Sequence, residues 1–286
     1  MENFLKMRFM QYKFIDIYDS QDEIALPSEA MNFNGKFLEN EILGYRTLYV
    51  SGRESLAPEL EFFDRTRRHG KEVKGRRFTE RVITVGYQLM SPTAFDFRLA
   101  YNKMAQILNV DSARIVFADE PDKYFTGTLT SIGDVDPGRL CITGELEFTC
   151  ADPFKYSIKE KAYSLSKKTE IYYEGTQECF PKIQWKMKSN AGYVAAYKND
   201  AQTIIQIGNV SEQQGSGNTF QTGDIITAQC EDAKIFVNNR ESETLGALGN
   251  TWESFYLSPG ENTIGVLTSD WSEIPETQLL VREVWL

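Results

Sequence analysis

Three carboxylates crowd one short stretch, Asp119, Glu120 and Asp122. Paired carboxylates can divide general-acid and general-base work, and this is the one catalytic arrangement the sequence offers. The turn-forming company of Pro121 gives them a plainer reading as a solvated hairpin tip. The chain has a single histidine, His69. One imidazole excludes a histidine-rich metal site, and this one sits among basic residues rather than after a strand. Cys141, Cys150, Cys179 and Cys230 form no CxxC pair and match no zinc spacing, so they read as reduced thiols, mostly buried. No GxSxG, HExxH, P-loop or GxGxxG motif occurs. The chemistry-bearing residues therefore point away from an enzyme, a metal site or a bound cofactor.

The charge distribution says more. Between Arg65 and Arg81 lie eight basic residues, Arg65, Arg67, Arg68, Lys71, Lys74, Arg76, Arg77 and Arg81, against only Glu72 and Glu80. That local +6 sits in a chain of 286 residues with net charge −10. Gly70 and Gly75 fall inside the stretch and disfavour a helix, so it reads as an extended arm over about 60–80. A basic arm on an acidic body finds its natural partner in another copy of the same body. The overall acidity argues against nucleic-acid binding, which needs a net basic face.

The elements that would carry this arm are mostly strands. Period-2 alternation marks Tyr12–Asp19, Thr47–Gly52, Arg81–Leu89, Ala113–Phe117, Tyr124–Ile132 and Arg139–Cys150. One helix is expected over about 92–108: Ser91 or Thr93 caps it, and Phe97, Tyr101, Met104 and Leu108 make one apolar face. Residues 155–168 read as a charged connector. Beyond it come short strands at Ile183–Met187, Thr203–Ile207, Asp224–Ala228, Lys234–Val237, Ser254–Leu257 and Thr263–Leu267, broken by turns such as Asn238-Asn239. This predicts a mainly β protein with one helix. An N-terminal sandwich or barrel-like domain spans 1–157 and a C-terminal β-sandwich spans 158–286. The last strand, Leu279–Leu286, has two places to go: closing the second sandwich or pairing back onto the first domain. Met1–Met10 lacks the apolar core of a signal peptide, and no apolar run reaches a membrane span, so synthesis in a cytoplasm is expected. Trp252, Tyr256 and Trp271 lie in or beside loops of the second half. Exposed there, they would stack on sugar rings, which makes a glycan-binding adhesion module the alternative function.

Several stretches together resemble the distal tail protein (Dit) family of siphophages and related phage-tail-like particles. They are Gly52-Arg53-Glu54 before the arm, Arg81–Val85, the Ser91–Leu108 helix, Ile115–Gly127, Gly144–Ser157 and Leu257–Ile264. The resemblance implies a structural protein at the virion tail tip. Its first domain would form a homo-hexameric ring, with the arm reaching a neighbouring subunit. The ring would join the tail-tube protein to the tail-associated hub protein. The second domain, galectin-like in the family, would serve a receptor-binding protein.

Overall fold

The structure is a computed structural model that describes residues 26–54, 56–65, 69–136, 138–199, 203–215 and 218–286. The strand expected at Tyr12–Asp19 lies outside the described residues. The fold is mainly β, with antiparallel sheets and one substantial helix.

The first core is built by β1 (Met31–Phe33), β2 (Lys36–Phe37), a single helical turn α1 (Leu38–Glu41) and β3 (Tyr45–Ser51). To these are added β6 (Arg81–Met90), α2 (Ala94–Leu108), β7 (Ala113–Phe117), β8 (Glu120–Ile132) and β9 (Cys141–Cys150). Between β3 and β6 the chain leaves the body as a separate hairpin, β4 (Glu59–Asp64) and β5 (Lys71–Arg77). The sheet order is β2-β1-β7-β8-β9-β6-β3. Alternation in β6 explains its place: Ile83, Val85, Tyr87 and Leu89 point inward and are fully buried, while Val82 and Met90 face out.

Helix α2 begins where capping chemistry says it should. The Thr93 hydroxyl accepts a hydrogen bond from the Asp96 backbone N–H at 3.1 Å and donates its own proton to the Asp96 carboxylate at 2.7 Å. Phe97, Ala100, Met104 and Leu108 form its buried stripe, and Tyr101 packs at the margin. A fully buried side chain of this size contributes roughly 1.5–3 kcal/mol, so the stripe, rather than helix propensity, holds α2 in place.

The second core is a sandwich. One sheet runs β11-β20-β13-β16-β17-β18, from Lys161–Leu165, Glu276–Val281, Lys182–Lys186, Ile225–Gln229, Lys234–Val237 and Arg240–Glu241. The other runs β12-β19-β14-β15, from Thr169–Tyr173, Gly260–Thr268, Tyr193–Lys198 and Thr203–Gly208. Trp185, Ile205, Ile226 and Leu279 are completely buried between them. The β17–β18 connection is the two-residue turn Asn238-Asn239. Both residues have positive φ, 49° and 63°, which is the twist a tight hairpin demands.

Three expectations need correction. The charged connector 155–168 contains two strands, β10 (Lys155–Ser157) and β11, because both find partners from distant parts of the chain. Ser254–Leu257 is not a strand. A 3-10 turn at Trp252–Ser254 is followed by a lone bridge from Leu257 to Cys179. The turn at 118–119 is shorter than the acidic stretch, so Glu120 and Asp122 already belong to β8. The C-terminus takes both of its open routes. Strand β20 completes the second sandwich, and β21 (Val284–Trp285) then pairs with β10, which also pairs with β8 of the first sheet.

Candidate assembly surface

The β4–β5 hairpin is exposed along almost its whole length. Its strands pair only with each other, and every residue except the half-buried Gly75 is exposed. The register sets Phe62 opposite Val73 and Leu60 opposite Arg76, with a bulge next to Phe62. Leu60, Phe62 and Val73 therefore share one face, at 46, 51 and 54% exposure. Phe63, on the other face, is 59% exposed. A lone two-stranded hairpin is marginal in water, and apolar side chains held in this way call for a second surface.

The basic residues of this arm behave differently from a row of free cations. Arg65 pairs with Glu72 at 2.6 Å, Lys74 with Glu61 at 2.7 Å, Arg77 with Glu59 at 3.5 Å and Lys71 with Asp64 at 3.7 Å. Each pair crosses the hairpin, so much of the positive charge is spent on holding the two strands in register. Exposed pairs of this kind contribute about 0.2–1 kcal/mol each. Arg76 makes no ion pair among the described residues. Arg67 and Arg68 lie outside the described residues.

Arg81 is not on the arm's surface. It is 1% exposed and starts β6, on the inward side with Ile83 and Val85. Its guanidinium donates to the carbonyls of Pro153 at 2.7 Å, Gly52 at 2.9 Å and Glu54 at 2.5 Å, and lies over the Phe125 ring at 5.4 Å. Burial lowers its pKa. Parity was the signal: a period-2 count back from Val85 places residue 81 in the core. Arg81 is thus an anchor of the arm's root, not a contact for a partner.

Arg53 is a second anchor, one whose role the sequence did not suggest. Its guanidinium reaches both Asp119 carboxylate oxygens, at 2.7 and 2.8 Å, and Glu29 at 2.9 Å, and stacks over Phe117 at 4.5 Å. Gly52 sits between the anchors at φ +85°, and a Cβ there would lie 2.1 Å from the Val82 carbonyl oxygen. On the returning side Phe78 meets Phe154 edge-on at 5.7 Å. Both ends of the arm are therefore fixed to the body.

The acidic stretch is absorbed by the same scaffold. Hydrogen bonding from Arg53 holds the Asp119 carboxyl below its ordinary range. Burial works against Glu120, but Lys123 at 2.7 Å and Lys155 at 3.0 Å outweigh it and its pKa also falls. Carboxylates held ionised in this way fix β8 and β10; a general acid needs the opposite shift. Among the described residues no group of three His, Cys, Asp or Glu is placed to hold a metal ion. No described helix is long and apolar enough to cross a membrane.

The aromatic residues of the second sandwich do not form one platform. Trp252 packs against the core, and Tyr256 meets Phe180 edge-on at 5.8 Å beneath the Lys198 ammonium. Trp271 lies beyond the other end of β19, a nine-residue strand on the order of 30 Å long.

This arrangement, a sheet packed on one helix with an anchored hairpin thrown out between β3 and β6, matches a known domain. The family described as phage tail protein RIFT-related domain covers residues 30–150. Those residues are the first core and its arm, so the similarity is to that part of the chain. No curated protein matches the sequence. Among solved structures, the Dit protein of phage SPP1 shares the fold over almost its whole length. The TM-score is 0.75 at 17% identity, covering 90% of this chain and 99% of that one. That protein is described as a paradigm of the hub adsorption apparatus in phages infecting Gram-positive bacteria. A looser likeness is to the phage P2 baseplate in its activated conformation with calcium, at TM-score 0.44 and 8% identity over 84% of this chain and 90% of that one. The arm thus lies within the residues that match, inserted between two strands of the first sheet.

Proposed function

We propose that this chain is a distal tail protein, a structural and non-enzymatic component of the tail tip of a phage or a phage-tail-derived particle. Six copies form a ring through the tail domain, with each arm engaging the next subunit. The ring joins the tail-tube protein on one side to the tail-associated hub protein on the other. The second sandwich faces outward, where a receptor-binding protein attaches. The observation that carries this reading is the anchored hairpin within the residues that match a phage tail domain, presenting half-exposed Leu60, Phe62 and Val73 with no other described strand to cover them. Head-to-tail contacts of this kind close into rings and satisfy every copy.

The test is the mass of the purified protein by light scattering, at low and at high salt. A hexamer, or two hexamers back to back, is expected. Because four of the arm's seven cations pair within the arm, added salt should loosen the assembly only modestly. A monomer at both salt concentrations and at high protein concentration overturns the ring.

A further inference from the structure

The arm leaves the body where β3 ends and β6 begins, at Gly52 and Arg81. At the other end of these two strands lies a second apolar surface that no described residue covers. Leu43 is 82% exposed and Phe95 76%, with Leu99, Met90 and Leu140 also exposed. Their segments are tied together there: the Met90 N–H donates to the Gly44 carbonyl and the Ser91 N–H to the Leu140 carbonyl, each at 2.9 Å. Strand β6 has ten residues, so the arm's root and this surface stand on the order of 30 Å apart, at opposite ends of one sheet.

Their charges are opposite. Residues 59–77 carry seven basic side chains against four acidic ones. Residues 38–44, 91–99 and 133–140, which frame the far surface, carry five carboxylates against Arg98 and Arg139. Lys103, on the next turns of α2, pairs with Glu41, and Arg139 with Asp136. An apolar, net-basic projection and an apolar, net-acidic surface rooted at opposite ends of one sheet do not meet among the described residues of one molecule. They can meet between copies.

We infer that the surface around Leu43 and Phe95 is the dock for the arm of a neighbouring copy, with Leu60, Phe62 and Val73 seated on it. This rests on the ring reading above and names the receiving half of its contact. The contact is heterologous: each copy gives an arm at one end and receives one at the other. Such a contact propagates in one direction around a ring.

Two variants test it, each altering only exposed side chains. Phe62→Glu spoils the arm and leaves the dock intact. Leu43→Glu with Phe95→Glu spoils the dock and leaves the arm intact. Each alone should be monomeric by light scattering, with the wild-type circular dichroism spectrum and melting temperature. Mixed in equal amounts, they should give a one-to-one dimer and nothing larger, since one good arm meets one good dock and the chain then stops. An assembly lost in Phe62→Glu but retained in Leu43→Glu/Phe95→Glu keeps the ring and overturns this dock. Two monomeric variants whose mixture stays monomeric also overturn it. A monomeric wild-type protein overturns the ring reading and the dock together.

Discussion

At the scale of single residues, the informative side chains are those buried with their charge or their thiol. Arg81 satisfies three backbone carbonyls from two segments that meet only at the arm's root. Replacing it with Ala leaves those carbonyls unpaired and opens a cavity, a loss of about 3–5 kcal/mol. A melt of Arg81→Ala should therefore show a large destabilisation, whereas Arg76→Ala, at an exposed site on β5, should change stability by less than about 0.5 kcal/mol. Equal effects would contradict the anchor. The thiols divide just as sharply. Burial pushes Cys150 up to about 11 and Cys179 up to about 12, and raises Cys230 as well. Cys141 alone is exposed. A thiol reagent at neutral pH should label one cysteine in the native protein and four in denaturant. The basic character of the arm was legible from composition, but the destination of each cation was not. Seven of the eight basic positions belong to the arm in sequence, and only the folded hairpin shows that Glu59, Glu61, Asp64 and Glu72 pair with four of them. Those acidic partners come partly from before the basic run, where a count of the run alone does not reach.

At the scale of elements, regular patterning with nearby caps was readable and irregular patterning was not. Helix α2 and strand β6 follow from Thr93, from the apolar stripe and from β-branched alternation, all local properties. Strand β14 escaped notice because Ala195 and Ala196 have little intrinsic β preference. They are buried there only because β15 and β19 flank them. Ser254–Leu257 looked like a strand by composition, yet no partner beyond Cys179 is available to it. The arm's rigidity is likewise a long-range property, set by Arg53 reaching Asp119 across 66 positions of sequence. Asp119→Asn should free that root, costing about 1–2 kcal/mol after allowance for partial exposure, or roughly five- to thirtyfold in the population of a loosened arm. Limited trypsin digestion within the arm should accelerate accordingly, with the body's melting temperature little changed. The pH dependence has a definite sign. Asp119 has a folded pKa below its ordinary 3.8, so its contribution is complete above that value and is lost as pH falls through the depressed one. Arm cleavage by an acid-active protease should rise in the wild type below about pH 4 and stay flat in Asp119→Asn. A mutant that digests at the wild-type rate at neutral pH would show that Asp119 does not hold the arm.

At the scale of the whole molecule, the last residues determine how the two cores move together. Strand β10 is held on one side by β8 of the tail domain and on the other by β21, which follows directly from the β20 strand of the sandwich. The Val284 N–H donates to the Tyr173 hydroxyl at 2.9 Å, and its carbonyl accepts from Thr176 and Gln177. Next to it the buried Glu283 accepts from Lys161 at 2.7 Å, and Arg282 bridges Glu160 of the linker and the Tyr124 hydroxyl of β8. One short strand therefore ties sandwich, linker and tail domain in a few consecutive residues. Two cores of separate composition would ordinarily melt separately, and a shared strand of this kind couples them. Val284→Pro removes the donor and disrupts the β10–β21 pairing, touching the sandwich core only at its margin, where Val284 packs, and leaving the first core unaltered. Calorimetry should then resolve two transitions where the wild type shows a single coupled one, with the far-ultraviolet spectrum preserved. The proposed ring should survive, because the arm and its proposed dock both lie on the first domain, whereas the sandwiches should become free to swing, visible as a larger radius of gyration at unchanged mass. A single transition in Val284→Pro would mean that the two cores are coupled by the Arg282–Glu160–Tyr124 contacts alone, and Arg282→Ala would then have to be the variant that separates them.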